Sequence, residues 1–156
     1  MIYVFDNSSL SSLKHFYPNV FGSVWDGINH LVEAKKIIST KEVFNEMENG
    51  DLSQHIKQWI KENKKIFTTP AAEELQFVAK IFGITHFRTL IGERQRLKGN
   101  PVADPFVIAC AKVHKGTVVT EEKLKPYAAK IPNVCAHFDI KCINLEEFMK
   151  QQKWSF

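Results

Sequence analysis

The sequence predicts an α/β domain with a mainly parallel central sheet. Two observations predict it. Short apolar runs alternate with segments of helical periodicity from one end of the chain to the other, the pattern of strands joined by helical crossovers. The first run, residues 2–5, is apolar at every position, as suits a strand covered on both faces.

The elements follow in order. The run at 2–5 ends in Asp6, and Asn7, Ser8 and Ser9 supply turn and cap chemistry. Leu10 and Leu13 begin a helix that Pro18 cuts off. Val24, Trp25, Ile28, Leu31 and Val32 recur at helical spacing and predict a helix over 21–34. Ile37 and Ile38 form a very short strand. Ser39, three residues before Glu42, reads as a capping box for a helix through Met47 that Asn49 and Gly50 stop. Leu52, Ile56, Trp59 and Ile60 mark the next helix.

Thr69 and Pro70 open another helix, with Leu75, Val78, Ala79 and Phe82 on its inner face and Gly83 at its end. Phe87, Leu90 and Ile91 predict a helix that runs into a basic stretch and breaks at 99–101. Asp104 before Pro105 is a helix start, and residues 106–113 are apolar on nearly all sides, so that helix is expected deep in the core. Gly116 ends it, and 117–120 is a buried strand. A short helix over 131–138, a strand over 140–143 and a helix opened by Asn144 and Glu147 complete the chain.

The totals fit one domain spanning 1–156. A chain of 156 residues buries roughly 70% of its unfolded surface, enough for a core without staples. Its 44% hydrophobic and 24% charged residues are those of a soluble globular protein, and twelve Phe imply a bulky core. Three cysteines are an odd number at no framework spacing, and Cys110 lies within an apolar helix, so reduced thiols and a cytoplasmic setting are expected. Cys135, His137 and Cys142 lack a fourth ligand at zinc spacing and read as core. No apolar run approaches the roughly 20 residues of a membrane span, and the first residues carry neither a basic leader nor an apolar signal core. The net charge of +4 is a mild lean toward polyanions. Arg88, Arg94, Arg96 and Lys98 cluster with only Glu93 to oppose them, a pattern equally suited to an RNA backbone and to a solvated helix face.

Chemistry is expected where strands end. In open parallel sheets ligands gather at the carboxyl ends of the strands. Asp6 follows the first strand, and Glu121 and Glu122 follow the strand at 117–120. Glu46 lies on the helix after Ile37 and Ile38, and Asp104 opens the buried helix leading into 117–120. Glu42 is accounted for by its cap, which leaves Glu46 as the ligand on that helix. Asp104 before Pro105 is also an N-cap pattern, and a capping carboxylate keeps one oxygen free. Carboxylates gathered together repel one another, and hard divalent cations with oxygen preference, Mg²⁺ or Mn²⁺, relieve that repulsion. Two such ions support phosphodiester cleavage without Cys or His. Ser8 and Thr120 are placed to support the carboxylates. The six histidines are scattered and receive no role, and Trp25, Trp59 and Phe82 sit at core spacing.

Four segments carry a family resemblance. The start "YVFDNSSL" resembles the opening strand and turn of PIN domains, "IISTKEVFNEM" their strand followed by a helix with a Glu, "ADPFVIACAK" their third block, and "TVVTEEK" their strand followed by Thr, any residue and an acid. These align Asp6, Glu46, Asp104 and Glu122, over residues 2 to about 143, in the family's order. The resemblance implies a three-layer α/β/α sandwich and a Mg²⁺- or Mn²⁺-dependent ribonuclease acting on single-stranded RNA. For VapC-like members it also implies a toxin role with an antitoxin partner, and a homodimer. One departure stands out: the fourth acid is usually Asp and here is Glu122, with Glu121 as its reserve. The end "IKCINLEEF" and the closing Trp154 and Phe156 resemble a less studied side branch of the family. A non-catalytic PIN-like module that binds RNA or protein is the alternative. A flap nuclease would carry long helical arches, and a doubly wound phosphatase would carry Asp where this chain has Ser8.

Overall fold

The structure, a computed structural model, describes residues 1–90 and 102–156. Among these residues the order is β1 (Tyr3–Phe5), α1 (Asn7–Ser12), α2 (Gly22–Glu33), β2 (Ile37–Thr40), α3 (Lys41–Glu48), α4 (Gln54–Glu62), β3 (Phe67–Thr68), α5 (Ala72–Phe82), α6 (Asp104–His114), β4 (Thr117–Val119), α7 (Ile131–His137), β5 (Cys142–Ile143) and α8 (Leu145–Gln151). The strands form one five-stranded sheet in the order β3-β2-β1-β4-β5, and every pair in it is parallel. Helices flank the sheet in three layers, as the sequence led us to expect.

The core is built by strand alternation. Tyr3 and Phe5 point to one face of β1, where both rings meet the ring of Phe148 edge-on, at 4.9 and 5.0 Å. On the opposite face α6 packs against β1, β2 and β4. It buries Pro105 and every residue from Val107 to Ala111 because α3, α5 and α7 close around it as well. The all-round apolar pattern of this helix is thus the signature of a central wedge. On α2, Gly27 lies under the indole of Trp154: a Cβ there would stand 2.5 Å from the ring. That ring also meets Phe148 edge-on at 5.7 Å, so the last residues pack back onto the core.

Several local expectations are corrected. The helix expected from Leu10 starts at Asn7, because Asp6 itself is the N-cap, and a 3-10 turn over Leu13–His15 ends it before Pro18. The cap of α3 is Thr40, whose hydroxyl accepts from the Val43 amide at 3.3 Å; Ser39 is a buried strand residue donating to the Phe5 carbonyl at 2.6 Å. The buried stripe of α5 is Glu74, Phe77, Val78 and Ile81, one position away from the expected stripe, and Leu75 is exposed. A buried glutamate within the stripe disguised its register. Strand β3 was not foreseen: two residues pairing Ser39 with Phe67 and Thr40 with Thr68 are too short for a periodic signal. Asp104 is the first residue of α6 rather than its cap, which is Ala103. The helix expected at Phe87 is a 3-10 turn over Thr85–Leu90, and the expected break at 99–101 lies outside the described residues.

The turn after α6 fixes the start of the sheet. Lys115 takes a left-handed conformation (φ 54°) at the helix end, and Gly116 follows it, packed on Ile2 just before β1. A Cβ on Gly116 would stand 2.8 Å from the backbone oxygen of Ile2, an atom that cannot swing aside. Gly116→Ala is expected to destabilise the protein by about 1–3 kcal/mol. Urea denaturation would show this as a lower midpoint with an unchanged slope.

Candidate functional site

The strand order reverses between β1 and β4, since β2 and β3 lie to one side of β1 and β4 and β5 to the other. At such a switch point the loops leaving two neighbouring strands part company and leave a crevice at their carboxyl ends. A cavity of about 390 Å³ opens there, lined by Asp6, Glu46, Asp104 and Glu122 together with Ser8 and Asn7. The four carboxylates that the sequence singled out therefore share one pocket, although they come from the turn after β1, from α3, from α6 and from the loop after β4.

Asp6 is only 3% exposed and is surrounded by donors. Its Oδ1 accepts from the Ser9 amide at 2.9 Å, and the Ser9 hydroxyl lies 2.9 Å from Oδ1 and 2.7 Å from the Val119 carbonyl, with one proton to donate to either. Its Oδ2 accepts from the Thr120 hydroxyl at 2.6 Å. The Ser8 hydroxyl lies 2.9 Å from both oxygens and has one proton to donate to either. Ser8 and Thr120 in turn accept from the backbone: the Glu121 amide donates to Ser8 at 2.9 Å and the Glu122 amide to Thr120 at 3.1 Å. Both hydroxyls thus tie the loop after β4 to the carboxylate after β1, the supporting place expected of them.

Glu46 bridges two helix starts. Its Oε1 accepts from the Asn7 side chain at 2.8 Å and its Oε2 from the Ala103 amide at 3.2 Å. Asn7 is thus a positioning residue that the sequence did not single out; its place directly after Asp6 was the available signal. Glu122 reaches the Ile131 amide at the start of α7 with Oε2, at 3.1 Å. Its reserve Glu121 is not at the site. It is exposed, and its Oε1 accepts from the Leu145 amide at 2.7 Å, serving the start of α8. Arg88 is exposed, donates to the Phe82 carbonyl at 2.9 Å and does not line the cavity. Arg94, Arg96 and Lys98 lie outside the described residues.

Burial and mutual repulsion set the protonation of the pocket. Asp104 is pushed up to about 8, by burial first and then by the charges of Glu122, Asp6 and Glu46, with Lys130 acting in the opposite direction. Burial also raises Asp6, against the pull of its hydroxyl and amide donors. It raises Glu122, against the Ile131 amide, with Asp6 and Glu46 adding to the rise. Lys130, the residue before α7, was not singled out in the sequence either. A pocket that holds a proton on an aspartate near neutrality is one that gains from a cation.

The cysteines are free thiols, as expected. Cys135 is buried, and the neighbouring Cys142 thiol together with burial drives its thiol strongly upward. Among the described residues, Cys135, His137 and Cys142 do not converge as metal ligands, whereas Glu74, Cys110 and His114 do.

The pH dependence follows from Asp104. Unfolded, it loses its proton near 4; folded, it keeps it to about 8. The native state thus holds the extra proton between those values, so in the presence of a chelator stability should fall as pH rises from about 4 to about 8. Asp104→Asn should flatten this slope and stabilise the chelated protein at pH 8 by on the order of 2–5 kcal/mol. Thermal melts across that range, for both proteins, measure it.

No curated protein matches this sequence. The chain does match a family described as "Domain of unknown function (DUF4411)" across residues 3–156, nearly its whole length and including all four carboxylates of the pocket. On that match the chain belongs to the DUF4411 family.

Proposed function

We propose that this protein is a Mg²⁺- or Mn²⁺-dependent endoribonuclease that cleaves single-stranded RNA. One observation carries the reading: four carboxylates from four separate elements meet in a solvent-open crevice at the switch point of a parallel sheet. Oxygen-only donor sets of this kind suit hard cations that keep several waters. Asp6, Glu46 and Asp104 would hold a first ion, and Glu122 with Asp6 a second. A pair of such ions supplies an activated water and neutralises the leaving oxygen of a phosphodiester.

The chain's own residues do the rest. Thr120, Ser8 and Ser9 fix Asp6 in one orientation, so its oxygens need no reorganisation when a ligand arrives. The Asn7 amide and the Ala103 amide hold Glu46 at the pocket wall. Glu122, whose second oxygen is not held by the Ile131 amide, is placed to orient a water. Asp104 gives up its proton to solvent as the pocket loads. Arg88 and the basic residues Arg94, Arg96 and Lys98 would follow the RNA backbone.

The four segments that resemble PIN domains support the same reading. They extend it to a VapC-like toxin with an antitoxin partner and a homodimer, and the three free cysteines support a cytoplasmic setting. No helix among the described residues is long and apolar enough to cross a membrane.

One observation favours a second reading, a non-catalytic module that binds RNA or protein. Both oxygens of Glu46 and one of Glu122 already have protein donors, so much of the pocket is satisfied without an ion. A cleavage assay on single-stranded RNA decides between the two. With Mg²⁺ or Mn²⁺ the wild type should cut, chelator should stop it, and Asp6→Asn and Asp104→Asn should each lose roughly 100-fold or more. Stabilisation by Mn²⁺ without cleavage would point to the binding module. Variants that cut as fast as wild type would remove the pocket from the chemistry.

A further inference from the structure

A second cluster of ligating side chains lies apart from the carboxylate pocket, where the first turn of α5 packs on the last turns of α6. Cys110 and His114 are four residues apart on α6 and so share one face of it. Glu74 meets them from α5. One ligand atom from each of the three lies within 4.8 Å of the other two. Glu74 is 3% exposed, Cys110 is fully buried, and the His114 side chain is 39% exposed, so the cluster has a closed inner wall and one open side.

We propose that Glu74, Cys110 and His114 form a three-residue, zinc-class divalent metal site, its open side left for water, separate from the carboxylate pocket. The donor chemistry selects the ion. Thiolate, imidazole and carboxylate together suit Zn²⁺ and its Co²⁺ surrogate, and a thiolate discriminates against Mg²⁺.

Geometry supports the assignment. Glu74 Oε1 already lies 3.2 Å from His114 Nε2, close to the spacing of two ligands on one ion. Ligand atoms about a tetrahedral zinc stand roughly 3.5 Å apart, so closure asks on the order of 1 Å of movement. The half-exposed imidazole is free to make that movement. The other oxygen of Glu74 accepts from the Ala71 amide at 3.3 Å, which orients the carboxylate from behind as ligating carboxylates usually are.

A second observation comes from Glu42 on α3. Glu42 Oε2 is sealed from solvent and has no hydrogen-bond partner among the described residues. A buried carboxylate oxygen without a donor is costly, and the charges acting on Glu42 include that of Glu74. Both glutamates also act on the Cys110 thiol, which burial and these two charges push up to about 12. A thiol, an imidazole and a carboxylate thus meet with a single polar contact among themselves, that of Glu74 with His114, and Glu42 adds its charge to theirs. On binding, the thiol proton passes to solvent and the ion takes its place.

Cobalt reads this site without interference from the carboxylate pocket, because only a thiolate ligand gives an intense near-ultraviolet charge-transfer band. The full chain, stripped with chelator and kept reduced with a phosphine, is titrated with Co²⁺. The expected result is a thiolate band that saturates at one equivalent, is erased by Zn²⁺ and is untouched by excess Mg²⁺. Cys110→Ala abolishes the band. His114→Gln, at a half-exposed position that leaves the core intact, weakens Co²⁺ and Zn²⁺ by ~10-fold or more. Asp104→Asn keeps the band, which separates this site from the other pocket. Absence of a thiolate band in the folded wild type overturns the proposal. So does a His114→Gln variant with unchanged Zn²⁺ affinity, which would leave Glu74 and His114 as a polar contact only.

Discussion

The carboxylate of Asp6 must stay in place while buried between two strand ends, and much of the molecule is arranged around that demand. An ionised carboxylate removed from water is tolerated when donors replace its hydration. Here the donors are local: Ser9 from the helix that Asp6 caps, Ser8 beside it, and Thr120 from the neighbouring strand. The same hydroxyls accept from the amides of the loop after β4. Order therefore passes from one carboxylate to the path of the chain that carries Glu122. Three further acids close in on this fixed point. Burial first, and then the repulsion of these neighbours, keeps a proton on Asp104 to about pH 8. A site with this stored repulsion is poised for a divalent cation in a way that a dispersed acidic surface is not.

Helix α6 connects the two clusters of chemistry. Its first residue, Asp104, faces the carboxylate pocket, and its last turns carry Cys110 and His114. Helix α3 does the same on a smaller scale, with Glu46 at one cluster and Glu42, one turn earlier, beside the other. These two helices pack on each other, and α6 packs on three strands, so both clusters hang on the packed centre of the fold. A functional group on such a scaffold is placed by the core rather than by a loop.

The architecture and the four pocket carboxylates were legible in the sequence because they rest on strong patterns. Fully apolar runs mark buried parallel strands, and an acid directly after such a run sits at the active edge of the sheet. What escaped had physical reasons. Strand β3 has two residues, and no period is visible in two residues. Thr40 and Ser39 offer the same capping chemistry, and only the pairing of β2 with its neighbours decides which of them leaves the strand last. Glu74 broke the apolar stripe of α5, so the stripe was read one position out of place, and its meeting with Cys110 and His114 was lost with it. Glu121 and Glu122 are adjacent and chemically identical; the chain turns between them, sending one to α8 and the other into the cavity.

The indole of Trp154 over the bare backbone of Gly27 sets an order on sequence change. Position 27 has no room for even one methyl group while the ring is there. The ring has its own reason to stay, since it packs edge-on against Phe148, which itself braces Tyr3 and Phe5. Relatives that carry a larger residue at the first position should therefore have surrendered the aromatic at the second beforehand, and the two columns should drift as a pair.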